Sequence, residues 1–319
     1  MTSRWSTVVA AVLVGFVIGV YVADSRKIPF PRKYHKWTIG IYTGSSPLDL
    51  TSPPGITNPI LTPKHVTDAD AVFVADPFIV KEKSQWHMFF EVFNAKSRQG
   101  DIAYASSTDG LHWTYQRIVL DEPYHLSYPY VFKWDNRWYM IPESHEAHSI
   151  RLYEADRFPT SWRLVGTMLH GDFVDNTLLR YNDKWWFFTS YRKVDDGLYI
   201  FHADSLLGPW VAHSMNPIAK PKAKFSRSGG RTIIHDGKII RFAQDGAHSY
   251  GHRLWAFEVT ELTATTFSER LAADKPVLEA DGDGWNGEGM HHVDPIRIGD
   301  NQWVASVDGR GVHWRLWPD

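Results

Sequence analysis

Four stretches decide the reading of this chain: DPFIVKEKSQWHMFFE (Asp76–Glu91), YPYVFKWDNRWYMIPE (Tyr128–Glu143), DNTLLRYNDKWWFFTS (Asp175–Ser190) and GGRTIIHDGKIIRFAQ (Gly229–Gln244). Each is a short apolar run, a polar turn and a second aromatic or aliphatic run, the pattern of a tight β-hairpin. Ten residues after the first stands Trp86, Trp138, Trp185 or Ile239. A fifth copy, DPIRIGDNQWVASVD (Asp294–Asp308), is one residue shorter. Behind the first three hairpins follow IAYASSTDGLHW, IRLYEADRFPTSW and LYIFHADSLLGPW, ending at Trp113, Trp162 and Trp210. Four strands in roughly 50 residues make a propeller blade, so the repeat predicts an all-β, five-bladed β-propeller over residues 37–319. The last unit offers three strands, ending in GVHWRLW, and the N-terminal strand Trp37–Tyr42 is placed to complete it, removing an open sheet edge. A two-sheet sandwich is the alternative, but a sandwich does not require this periodicity.

Composition agrees with such a fold. The 319 residues carry 15 Trp, 14 Tyr and 17 Phe, a heavy aromatic load that favours strands. A net charge of -2 with no basic block in the globular part gives no footprint for nucleic acid. The absence of cysteine excludes disulfides, thiolate zinc sites and a cysteine nucleophile.

The N-terminus reads separately. STVVAAVLVGFVIGVYVA ends at Ala23, before the basic, proline-containing DSRKIPFPRK. A span needs about 17–25 residues, so residues 1–23 are expected to form a membrane anchor helix and residues 24–36 a linker. Small residues do not mark a cleavage site near Tyr21-Val22-Ala23. The expectation is an uncleaved single-pass membrane protein with its propeller on the exported, periplasmic or luminal, side, although Arg26, Lys27, Arg32 and Lys33 after the span argue the other way.

In a propeller, the start of each innermost strand and the end of the strand after it converge on one funnel. The first set here is Asp76, Tyr128, Asp175, Gly229 and Asp294; the second is Glu91, Glu143, Ser190, Gln244 and Asp308. Like charges crowded in one mouth raise the pKa of some members and suit paired acid and base chemistry.

VADPF, SYPYVF, IPES, FVDNTL and STDGLHW together resemble the five-bladed propellers of the glycoside hydrolase family 43 and 32 superfamily. More closely, they resemble the N-terminal propeller domain of plant glucosamine inositolphosphorylceramide transferases and their bacterial stand-alone relatives, over roughly Ala69 to the C-terminus. The superfamily resemblance implies a base or nucleophile at Asp76, a pKa-tuning Asp at Asp175 and a Glu as acid. Arabinanase-like members carry that acid at the start of the fourth blade, where this chain has SRSGGR (Ser226–Arg231), so Glu143 is the expected replacement and Glu91 the second choice. In the plant relatives the glycosyltransferase is expected in a separate C-terminal domain.

Each assignment has a plainer alternative. Asp76-Pro77 also fits a turn in which the carboxylate caps backbone N–H groups, and Glu143 also suits a partner for Arg151 or Arg180. The resemblance places a histidine near the axis, holding a water or cation; His292 is the choice there over His291, because adjacent strand residues point to opposite faces. No zinc spacing accompanies it, and no cofactor or metal is otherwise expected. Arg227 and Arg231 suit an anionic group such as phosphate or uronate. Tyr128, Trp285 and Trp186 suit sugar stacking, and Glu91, Gln244 and Asp294 complete the expected substrate-binding set. The leading expectation is a membrane-anchored carbohydrate-active enzyme that cleaves or transfers a glycosyl unit of a glycan or glycolipid. The alternatives are a non-catalytic glycan-binding module acting with a separate glycosyltransferase, and an interaction scaffold.

Overall fold

A computed structural model describes residues 2–25, 30–192, 197–219, 224–246 and 249–317. It divides into two compact units, Trp37–Gly311 and a second made of Met1–Lys36 with Val312–Asp319. In the second unit Thr2–Ser25 is helical, with exposed apolar side chains that include Val12, Phe16 and Ile18. No helix among the described residues is long and apolar enough to cross a membrane. Arg26 and Lys27 of the expected linker lie outside the described residues, and a strand already begins at Phe30.

The larger unit is the five-bladed propeller. Blade I runs Ala71–Glu82, Gln85–Asn94, Gln99–Ser107 and Thr114–Leu120; blade II runs Ser127–Trp134, Arg137–Glu143, Ser149–Arg157 and Ser161–His170. Blade III runs Phe173–Tyr181, Lys184–Tyr191, Leu198–Ala203 and Val211–Ala212; blade IV runs Ile233–His235, Lys238–Asp245, Arg253–Leu262 and Phe267–Leu271, with Leu278–Glu279 also paired to its third strand. Blade V joins both chain ends: Val293–Gly299 and Gln302–Trp317 are followed outward by Phe30–Ser46 and Asp49–Thr51. The N-terminal strand thus closes the ring as expected, but it brings a short partner, so blade V takes two strands from each end of the chain.

Hairpin turns form where the sequence places short polar residues. Asp135-Asn136, Asn182-Asp183 and Asp236-Gly237 all have positive φ, as two-residue turns matched to strand twist require. Neighbouring blades cover both faces of each sheet, which leaves no polar face to alternate with the apolar one. In the inner strand of blade I, Val74 through Val80 are all buried. The repeated aromatics pack within and between blades: Trp138 stacks on Phe158 of its own blade at 4.3 Å, and Trp185 of blade III meets Trp134 of blade II edge-on at 4.8 Å.

Candidate active site at the propeller mouth

The inner hairpins of blades I to III share one irregularity. Their register shifts between Ala75 and Phe78, between Ser127 and Tyr130, and between Val174 and Thr177. Inside each shift sits one residue in the left-handed region: Asp76 (φ 52), Tyr128 (φ 45) and Asp175 (φ 52). A β-bulge re-aims a side chain and leaves a backbone group outside the ladder, and a left-handed non-glycine residue costs about 1–2 kcal/mol. The proline that follows Asp76 and Tyr128 fits there, because a bulge needs no ladder N–H from it. Two bulge N–H groups turn to carboxylates of the preceding blade: Asp76 N–H donates to Asp308 Oδ2 at 3.2 Å, and Asp175 N–H donates to Glu143 Oε2 at 3.1 Å.

These bulges open on a cavity of about 320 Å³ lined by Asp76, Glu91, Glu143 and Asp175. Trp37, Phe73, Phe93 and Tyr250 supply aromatic surface to it, and Arg192, Arg227, His125 and His291 supply basic groups. The volume lies at the small end of ligand sites, roughly 300–1,000 Å³.

The carboxylates fall into two groups. Burial pushes Glu143 upward, but a 3.0 Å hydrogen bond from His145 Nδ1, the Arg227 charge and the Asp175 N–H outweigh it, and its pKa falls below the usual range. Asp308 is likewise brought down against burial, by His291 and the Asp76 N–H. Asp76 moves the other way: burial, with Asp308, Asp175 and Glu143 nearby, carries it to about 8 despite His291. Burial and neighbouring carboxylates also push Glu91 well above the ordinary value. Asp175 is raised by burial, opposed by Arg227, whose Nε lies 2.7 Å from its Oδ2. One cavity therefore holds Glu143, favoured as the carboxylate, beside Asp76 and Glu91, which burial and their neighbours push toward the protonated form.

Several expected substrate-binding residues stand elsewhere. Tyr128 is buried in the shaft, its hydroxyl accepting from Gly230 N at 2.7 Å. Asp294 is fully buried; it accepts from Ile79 N at 2.7 Å and pairs with Arg231 at 2.7 Å, so neither member of this pair lines the cavity. Gln244 acts at one remove, donating to Asp175 Oδ2 at 3.1 Å. Trp186 is 2% exposed and belongs to the core, and Trp285 packs against another core cluster.

His292 points into the shaft against Phe78 and Tyr128, and burial pushes its pKa down to about 3. Its neighbour His291 faces the mouth instead. The alternation of strand faces was legible; which histidine took which face was not. Trp37 was legible as part of the closing strand, whereas His125, Arg192 and Tyr250 come from loops that the repeat does not constrain. Asp76, His291 and Asp308 bring donor atoms within 4.8 Å of one another. Within this trio His291 Nδ1 is hydrogen-bonded to Asp308 at 2.8 Å, and its Nε2 stands 3.6 Å from Asp76 Oδ1.

Fold and mouth together define a five-bladed propeller with a ring of buried carboxylates around one pocket. The same architecture occurs in a β-1,2-mannobiose phosphorylase from Listeria innocua, solved with β-1,2-mannobiose, at a TM-score of 0.62 and 13% identity over 84% of this chain and 96% of that one. At that identity the likeness is one of fold. Residues 32–310 match the family described as glucosamine inositolphosphorylceramide transferase 1, N-terminal, and the chain belongs to that family. A glucosamine inositolphosphorylceramide transferase 1 of Oryza sativa subsp. japonica is 34% identical over 332 residues, covering 95% of this chain and 44% of that protein. Its counterpart of the same name in Arabidopsis thaliana is 33% identical over 301 residues, covering 86% and 39%. The chain thus spans less than half the length of the curated relatives it matches.

Proposed function

We propose that the mouth is the active site of a carbohydrate-active enzyme that cleaves or transfers a glycosyl unit, with a glycan or glycolipid as substrate. The observation that carries this reading is the gathering of four carboxyl groups around one pocket in unlike surroundings: Glu143 accepts from His145 and from Asp175 N–H, whereas Asp76 is buried among other carboxylates. Glycosyl transfer asks for that pair: a carboxylic acid to protonate the departing oxygen, and a carboxylate to serve as base or nucleophile. In this reading Asp76 is the proton donor, with Glu91 beside it, and Glu143 is the carboxylate. Asp175, held by Arg227 and Gln244, orients substrate and tunes the pair. The relatives' name, a transferase acting at an inositolphosphorylceramide, supports a glycolipid among the substrates to be tried.

The test is turnover of a glycan and glycolipid panel, inositolphosphorylceramides included, by the full chain. Asp76→Asn and Glu143→Gln are each expected to lower turnover by about 10²–10⁴-fold while leaving binding intact. Wild-type protein that binds glycans and turns over none would overturn the enzyme reading in favour of a glycan-binding module acting with a separate glycosyltransferase. We also propose that Thr2–Ser25 attaches the protein to a membrane with the propeller on the exported side, supported by its run of exposed apolar side chains. Release of the protein by alkaline extraction would overturn the attachment, and protection of the propeller from protease added to intact cells would overturn the orientation.

A further inference from the structure

We infer that His291 is a positioning residue for Asp76: Asp308 fixes its tautomer and orientation, and its Nε2 shares one proton with the Asp76 carboxyl. Asp308 is wholly buried within the second strand of blade V, Gln302–Trp317. Its Oδ2 accepts from Asp76 N at 3.2 Å, and its Oδ1 accepts from His291 N and His292 N, each at 3.1 Å. A carboxylate held by three backbone donors stays ionised and can only accept. The imidazole Nδ1, 2.8 Å from Oδ1, must therefore carry a hydrogen. That leaves Nε2 turned to Asp76 Oδ1 at 3.6 Å, just beyond hydrogen-bond distance, so sharing the proton requires the Asp76 side chain to turn toward the ring. The ring plane is held as well, with Trp37 stacked on it at 4.0 Å and Tyr250 edge-on at 5.3 Å.

The charged groups facing the imidazole are Asp76, Asp308 and Asp175, and Glu143 faces it through Asp76. Transfer of the shared proton breaks the Asp76 O–H bond and forms the Nε2–H bond. Asp76 becomes a carboxylate and His291 an imidazolium, while Asp308 stays anionic. The net charge of the trio is the same before and after, so the two charges created when Asp76 gives up its proton arise as a mutually compensating ion pair and not as an uncompensated buried charge, which would be costly. The use of this relay in catalysis rests on the reading of Asp76 as proton donor; the shared proton itself does not.

Nitrogen-15 NMR of the histidine-labelled full chain, followed through a pH titration without substrate, tests it. In the wild type, Nδ1 of His291 is expected to stay protonated throughout while Nε2 titrates. Asp76→Asn, which keeps the side-chain shape, is expected to lower the Nε2 midpoint by at least about one pH unit, because the wild-type imidazolium is stabilised by the carboxylate that Asp76 becomes when the shared proton crosses, and asparagine cannot become one. His292, buried and neutral in both proteins, serves as the internal check that the fold is retained. The same His291 midpoint in wild type and Asp76→Asn, or a neutral ring carrying its hydrogen only on Nε2, would overturn the inference. A chain that shows the expected coupling but turns over no glycan would keep the relay and remove the proposed function, so the two can fail separately.

Discussion

Blades I and III differ from blades IV and V at one repeat position. In I and III a left-handed residue within a bulge aims a carboxylate, Asp76 or Asp175, into the pocket. In IV the position is Gly229-Gly230, with Gly230 at φ 125 and Ser228 bridged to Ala243. In V, Asp294 lies in regular register opposite Ser306, with no bulge at that point, and its carboxylate turns into the shaft instead of the mouth. The repeat fixes where a residue stands in the ring. For the carboxylates, reaching the pocket goes with a bulge in the hairpin; a bulge alone is not sufficient, because Tyr128 in blade II is bulged and still buried in the shaft.

The sharpest way to break this comparison is to give blade IV the carboxylate it lacks. A Cβ on Gly230 would overlap the backbone carbonyl of Val293, and one on Gly229 would meet the Leu254 side chain and the His291 carbonyl. Gly230→Asp is therefore expected to destabilise by more than about 4 kcal/mol, read from denaturant midpoints. A stable, folded Gly230→Asp would show that the glycine is not demanded by the approach of blade V. Next in size is Asp294→Ala, which leaves Arg231 buried without its carboxylate and is expected to cost about 3–5 kcal/mol. A loss below about 1 kcal/mol would mean that Asp294 is not the internal strut the geometry makes it.

These two cases mark how far the sequence could be read. The ring, its five units and its closure by the N-terminal strand followed from turn residues and aromatic spacing, because hairpin turns and interblade packing impose the same demand on every unit. Asp76, Glu91, Glu143 and Asp175 were found for the same reason, each being a repeat-equivalent position. Asp294 and Tyr128 were misplaced by that logic: equal spacing does not reveal a missing bulge or a hydroxyl drawn into the shaft by Gly230. Arg192, His125 and Tyr250 carry no repeat signal. The protonation pattern was illegible too, since it depends on which carboxylate receives a neighbouring blade's N–H.

The smallest predicted effect compares the two sides of the pocket by their pH dependence. Asp76 has a folded pKa of about 8, above its ordinary value. Its contribution to stability is complete below the unfolded pKa and is lost as pH rises toward 8. Glu143 has a depressed folded pKa, so its contribution is present above its ordinary value and is lost as pH falls through the folded one. Asparagine mimics the neutral form of Asp76, and glutamine the neutral form of Glu143. Asp76→Asn should therefore leave stability near wild type in acid and raise it by roughly 1–3 kcal/mol at mildly alkaline pH. Glu143→Gln should lower stability by roughly 1–2 kcal/mol at neutral pH and converge on wild type in acid. Denaturant midpoints of the three proteins across pH would show difference curves of opposite sign. Parallel curves for wild type and Asp76→Asn would mean that the Asp76 carboxyl does not hold its proton through neutrality, and the division between the two sides of the pocket would go with it.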